Sequence, residues 1–143
     1  MTKAVKKIDK NDKKDTVKVQ KGFVVDLLRI ISGLKIGGMS QGSMFNLIDF
    51  KLEINKIGEE MDRKNTNFRE ELRKAINPDM NASLTSEQEE DFKNKSREYW
   101  IKLLEEKIDI VPLKTRREDL FSIIKDNNLT ILQVEMLKLV IHE

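Results

Sequence analysis

The chain has 143 residues, 36% charged and 38% hydrophobic, with 27 Lys and Arg set against 25 Asp and Glu. It contains no Cys and a single His, which excludes disulfide scaffolds, thiol nucleophiles and Cys-based zinc sites. No apolar run approaches the roughly 18 to 20 residues of a membrane span, and the N-terminus lacks the apolar stretch of a secretion signal, so the expectation is a protein of the cell interior without membrane contact.

Charge divides the chain. Residues 1 to 21 hold eight Lys and three Asp, a net of +5, whereas residues 22 to 143 sum to −3. The first fifteen residues carry only Ala4, Val5 and Ile8 as apolar residues beyond Met1, too few to offset the entropy of ordering them alone. Residues 1 to 16 are therefore expected as a flexible Lys-rich arm and residues 17 to 143 as a single helical domain. Lys3, Lys6, Lys7, Lys10, Lys13 and Lys14 are candidates for contact with phosphates or an acidic surface. Without Arg or aromatic residues the arm offers salt-sensitive attraction but no base readout.

Val17-Lys18-Val19-Gln20 alternates apolar and polar residues and predicts a short strand. After Gly22, the apolar positions Phe23, Val24, Leu27, Leu28, Ile30, Ile31 and Leu34 form one broad helical face. The helix is expected to stop near Ser32-Gly33. Residues 32 to 43 hold four of the six glycines but match neither GxGxxG nor GxxxxGK[ST], so they read as a helix connection and not as a phosphate loop.

Ser43 is the expected N-cap of the longest element. Leu47, Phe50, Ile54, Ile57, Met61, Phe68, Leu72 and Ile76 make a near-heptad seam with a polar gap around Lys64-Asn65. Glu59–Arg63, Glu60–Lys64 and Glu70–Lys74 place acid before base at i, i+4, so a solvated, ion-paired face accounts for these carboxylates. Asn77-Pro78 ends the helix. Thr85 with Gln88, or Ser86 with Glu89, forms a capping box for the next helix, expected to run to about Lys107 along Phe92, Ser96, Tyr99 or Trp100, and Leu103. Two seamed helices joined by a short turn predict an antiparallel long-helix hairpin.

Ile108-Asp109-Ile110-Val111, ended by Pro112, predicts a second short strand able to form a two-stranded ribbon, 17–20 with 108–111. Thr115 to Glu118 reads as a capping box for a short helix bearing Leu120, Phe121, Ile123 and Ile124. Thr130 to Gln133 opens a last helix, expected to continue to the chain end. That helix is dense in apolar residues and must be covered, either by the core or by a partner. Leu132, Met136, Leu139 and Val140 are its candidate interaction residues. Tyr99 and Trp100, adjacent and thus pointing about 100° apart, are the candidate aromatic anchors.

No catalytic, cofactor or metal residues are expected. His142, the only His, is penultimate, and the acidic runs at 59–62 and 87–91 match no EF-hand loop and carry basic residues at i, i+4.

The succession of strand, amphipathic helix, Gly-containing turn, the long charged helix around FNLIDFKLEINKIGEEMD, then EEKIDIVPL and a terminal LTILQVEMLKLVIHE resembles a family of small bacteriophage proteins encoded near virion-morphogenesis genes. The resemblance spans residues 17 to 143. It implies a phage origin and a non-enzymatic role. Taken with the over-long helix, the dense apolar terminal helix and the absence of catalytic residues, the expectation is a virion or assembly component that contacts itself or another phage protein, in the host cytoplasm during assembly or in the virion. A nucleic-acid-binding accessory acting through the basic arm is the alternative.

Overall fold

The computed structural model describes residues 15–143. The arm lysines Lys3 to Lys14 lie outside the described residues. The fold is mainly helical, with 68% of these residues in five helices, a two-stranded antiparallel sheet and a short parallel pair. In chain order the elements are β1 (Val17–Gln20), α1 (Lys21–Ser32), α2 (Gln41–Ile76), α3 (Ser86–Glu105), β2 (Lys107–Ile110), β3 (Leu113–Lys114), α4 (Arg117–Asp126), α5 (Ile131–Val140) and β4 (Ile141–His142).

The expected ribbon is present. β1 and β2 pair antiparallel, with Val17 opposite Ile110 and Gln20 opposite Lys107. The second strand starts one residue earlier than the alternation alone suggests, because Glu106 already leaves helical geometry at φ −60, ψ 137. Lys21 closes the ribbon's end: its N–H donates to the Glu106 carbonyl at 2.8 Å and its Nζ lies 2.7 Å from Glu106 Oε1. The Lys21 hydrogen bond holds the Glu106 carboxyl below its ordinary pKa. At Gly22 a Cβ would sit 3.2 Å from the Leu104 carbonyl oxygen, so the absent side chain lets α1 begin flush against the end of α3.

α2 contains 36 residues, about 54 Å at 1.5 Å per residue. Its first half buries Leu47, Phe50 and Ile54 in the main core with Val24, Leu27 and Ile31 of α1. Its second half runs beyond that core, paired with α3. There Phe68 stacks on Tyr99, ring centroids 4.0 Å apart at 4°, and the Arg69 guanidinium lies 5.5 Å over the Phe92 ring. Asn65 Oδ1 and Ser96 Oγ are buried there without a hydrogen-bond partner. They interrupt an otherwise apolar seam, and a polar break of this kind disfavours a slip of one helix along the other. Arg73 binds the turn at the tip, its two terminal nitrogens donating to the Asn77 and Ala82 carbonyls at 2.8 and 2.7 Å.

The surface pairs differ from the simple i, i+4 expectation. Asp91–Lys95 forms at 3.1 Å, whereas Arg63 pairs with Glu60 at i, i+3 instead of with Glu59. Both spacings place side chains on one helix face.

Three ends depart from the sequence expectation. α2 begins at Gln41, two residues before Ser43, with Ser40 as its N-cap; Ser43 lies inside the first turn and is buried. Thr115 does not cap α4. The cap position is Arg116, which makes no side-chain cap bond, and the Thr115 hydroxyl donates instead to Ser43 Oγ at 3.1 Å. α5 stops at Val140, and β4 pairs parallel with β3, Leu113 opposite Ile141, while the Thr115 N–H donates to the His142 carbonyl at 2.8 Å. The run Val140-Ile141 is β-branched and buried, which favours extended backbone there over another helical turn.

Two capping boxes form as expected, Thr85 with Gln88 and Thr130 with Gln133. In the second, the Gln133 N–H donates to Thr130 Oγ1 at 3.2 Å and the Thr130 N–H to Gln133 Oε1 at 2.9 Å. Thr130→Ala should cost about 1 kcal/mol of stability, measured as a lower urea midpoint with an unchanged slope. A midpoint equal to that of the parent chain would show that α5 is held by packing alone.

Candidate functional site

The residues singled out on α5 and α3 converge. Packed beside α1, the last turns of α3 and one face of α5 enclose a groove of about 790 Å³, and Trp100, Leu132, Met136 and Leu139 all line it. Phe23 and Val25 contribute from α1 and Ile101 and Leu104 from α3. Leu132, Met136 and Leu139 stand at i, i+4 and i+7, one helix face in the periodic sense. Leu132 is 65% exposed and Leu139 53% exposed, although both are large and apolar.

Polar groups stand around this apolar lining: Asp26 and Arg29 from α1, Glu105 from α3 and Glu135 from α5. Arg29 Nη1 lies 3.6 Å from Asp26 Oδ1, both side chains well exposed. An apolar centre with a charged, hydrated border has the composition of a protein-contact surface.

Tyr99 and Val140 stand elsewhere. Tyr99 is stacked on Phe68 within the hairpin, so of the two adjacent aromatic residues only Trp100 faces the groove. Val140 is fully buried in the main core with Leu137. Position i+1 from Leu139 lies about 100° around the helix, which turns Val140 inward where Leu139 turns out. The expectation for Lys3, Lys6, Lys7, Lys10, Lys13 and Lys14 concerns residues outside those described.

Among the described residues, the carboxyl held furthest from its ordinary pKa is one the sequence did not mark. Asp119 of α4 is almost fully buried. Its Oδ1 accepts from the Ser40 N–H at 2.8 Å; its Oδ2 accepts from Ser40 Oγ at 2.8 Å, Ser43 Oγ at 2.6 Å and Arg116 Nε at 3.2 Å. The Ser43 hydroxyl, then the Ser40 N–H, hold this carboxyl well below the usual carboxylate range against the opposing effect of burial. α2 has no acidic residue in its own first turn. Asp119 therefore supplies the anion at its N-terminus from another helix, where the macrodipole favours negative charge.

A carboxylate so stabilised is a weak base, and Ser43, Ser40 and Thr115 all have their hydroxyls engaged. None of them lines the groove described above. The cluster fastens α4 onto the start of α2. His142 places a ring nitrogen 3.0 Å from the Leu139 carbonyl oxygen at an exposed position. Among the described residues, no group of three or more His, Asp or Glu side chains is arranged to hold a metal ion, and no helix is long and apolar enough to cross a membrane. No family model, curated protein or solved structure matches this chain.

Proposed function

We propose that this protein is a non-enzymatic interaction module that associates with a second copy of itself through the groove between α1, α3 and α5. The observation that carries the reading is the exposure of Leu132 and Leu139 beside Trp100 in one apolar groove. Large apolar side chains grouped in this way mark contact surfaces. Leu132 and Leu139 stand one heptad apart on a ten-residue helix. Two antiparallel copies of α5 about a twofold axis can then set Leu132 of one against Leu139 of the other. The resemblance to small bacteriophage proteins supports a role for this contact in virion assembly, with another phage protein as the other possible occupant.

Size-exclusion chromatography with light scattering tests the reading on the full chain. The parent protein should dimerise, and Leu132→Asp or Leu139→Asp should each weaken the dimer by about 30-fold or more. A strict monomer at high concentration, or a dimer indifferent to both substitutions, overturns it.

A further inference from the structure

A second groove, of about 850 Å³, lies between α2 and the segment Ile108–Lys114, all of whose residues line it, whereas none of Val17–Gln20 does. Among the described residues β2 is paired on one side only, with β1. The Lys21 N–H donates to the Glu106 carbonyl at 2.8 Å, and an antiparallel ladder alternates between residue pairs that exchange hydrogen bonds and pairs that do not. Counted from Lys21–Glu106 in the register of the ribbon, the bonded pairs are Val19–Ile108 and Val17–Ile110. The N–H and carbonyl groups of Asp109, and of Val111 beyond it, therefore point away from β1. Both residues line the groove, so their backbone donors and acceptors stand along its wall as an open strand edge.

The two faces of β2 differ. Ile108 is half-buried and Ile110 buried, while Asp109 and Val111 are exposed. A strand added at this edge continues the alternation. Every second side chain meets the α2 wall, where Phe50, Ile54 and Ile57 line the groove, and the others stand beside Asp109. That wall, from Asn46 to Ile57, is about 16 Å long at 1.5 Å per residue, room for about five residues of extended chain at 3.3 Å each. The charges are unbalanced: Asp15, Asp49, Glu53 and Asp109 face Lys56 and Lys114. Lys56 pairs with Glu53 at 3.0 Å and Lys114 with Asp15 at 3.9 Å, which leaves Asp49 and Asp109 without an ion-pair partner among the described residues.

We infer that this groove takes an extended segment of another protein, in which apolar residues alternate with Lys or Arg, as a third strand along the free edge of β2. Each property of the occupant has its own cause. The open edge at Asp109 and Val111 requires extended backbone, the apolar α2 wall requires an apolar residue at every second position, and the unpaired carboxylates require positive charge at the others. Backbone pairing then supplies affinity and the alternate side chains supply selectivity. No residue of this groove belongs to the one between α1, α3 and α5, so the two contacts are independent.

Fluorescence anisotropy tests this on the full chain with a fluorescein-labelled peptide, Lys-Val-Lys-Val-Lys-Val-Lys. Saturable binding with a Kd below about 100 µM is expected, and the Asp109 and Val111 amide signals should shift with peptide while those of the hairpin tip at 79–84 stay in place. Asp49→Lys/Glu53→Lys, two changes at exposed positions, should weaken binding at least about tenfold. The same peptide N-methylated at alternate amides, which blocks pairing while the protein is unaltered, should weaken it by as much. Absence of saturation overturns the proposal, and so does equal binding of the N-methylated peptide or of a peptide made of Lys alone, since charge and not strand pairing would then be read. A peptide affinity that falls as the chain is concentrated also overturns it, because a second copy would then hold the groove.

Discussion

Leu137→Asp should leave no folded protein at room temperature. Leu137 is fully buried, in one apolar cluster with Val24, Leu27, Ile123 and Val140. An unpaired buried charge costs several kcal/mol after relaxation, on top of the lost apolar burial. That sum rivals the entire 5–15 kcal/mol stability of an ordinary domain. The milder Leu137→Ala should remain folded but lose about 3 kcal/mol, which lowers the melting temperature by about 10 °C in a chain of this size. Leu139→Asp supplies the control. Two residues along the same helix but largely exposed, it should melt close to the parent while disrupting association. Circular dichroism melts of the three variants separate core from groove; equal melting for Leu137→Asp and Leu139→Asp would contradict the packing of α5 as described.

Asp119→Asn should be the most damaging polar substitution. It keeps the shape but removes the charge that the Ser40 N–H, both serine hydroxyls and Arg116 converge on. Its amide also turns a donor toward groups that are themselves donors. A fall of about 10 °C in melting temperature is expected at neutral pH. The pH dependence identifies the cause. In the folded protein this carboxyl titrates below its ordinary value, so the unfolded chain takes up the proton first. The contribution is fully present above the unfolded-chain value of about 4 and fades as pH falls through the folded one. Urea midpoints measured from pH 7 downward should show parent and variant well separated at neutrality and converging below about pH 4. A separation that persists unchanged into acid would mean that shape, not charge, holds α4 to α2.

Much of the architecture is legible along the chain because its signals are local. The α2 and α3 seams are spelled by steps of three and four from Leu47 to Ile76 and from Phe92 to Leu103, and the alternation at Val17–Gln20 and Ile108–Val111 locates the ribbon. Thr85 and Thr130 each have their capping partner three residues on. The misplaced ends share one cause. Ser43 and Thr115 have the residue types and local spacing of caps, but their partners are distant: Ser43 and Asp119 are 76 residues apart, Thr115 and Ser43 72. No local rule distinguishes a serine that caps its own helix from one that receives a neighbour's carboxylate. The parallel pairing of Leu113 with Ile141 is equally non-local.

The groove was half visible. Leu132, Met136 and Leu139 declare a common face by spacing alone, but Phe23 joins them only through the packing of α1. Tyr99 and Trp100 are adjacent, and which ring turns outward depends on Phe68 across the hairpin. Val140 sits next to a groove residue and belongs to the core; a run of apolar residues on a short helix does not reveal where interior ends and surface begins.

The hairpin that extends past the main core also implies an uneven resistance to opening. Near its base the helices share burial with α1 and the ribbon; toward Asn77–Thr85 each amide is protected only by its own helix, one neighbour and the Arg73 clasp. Backbone deuterium uptake should therefore run as a gradient, fast at the tip and slowing toward Leu47 and Leu103, where exchange requires the whole molecule to come apart.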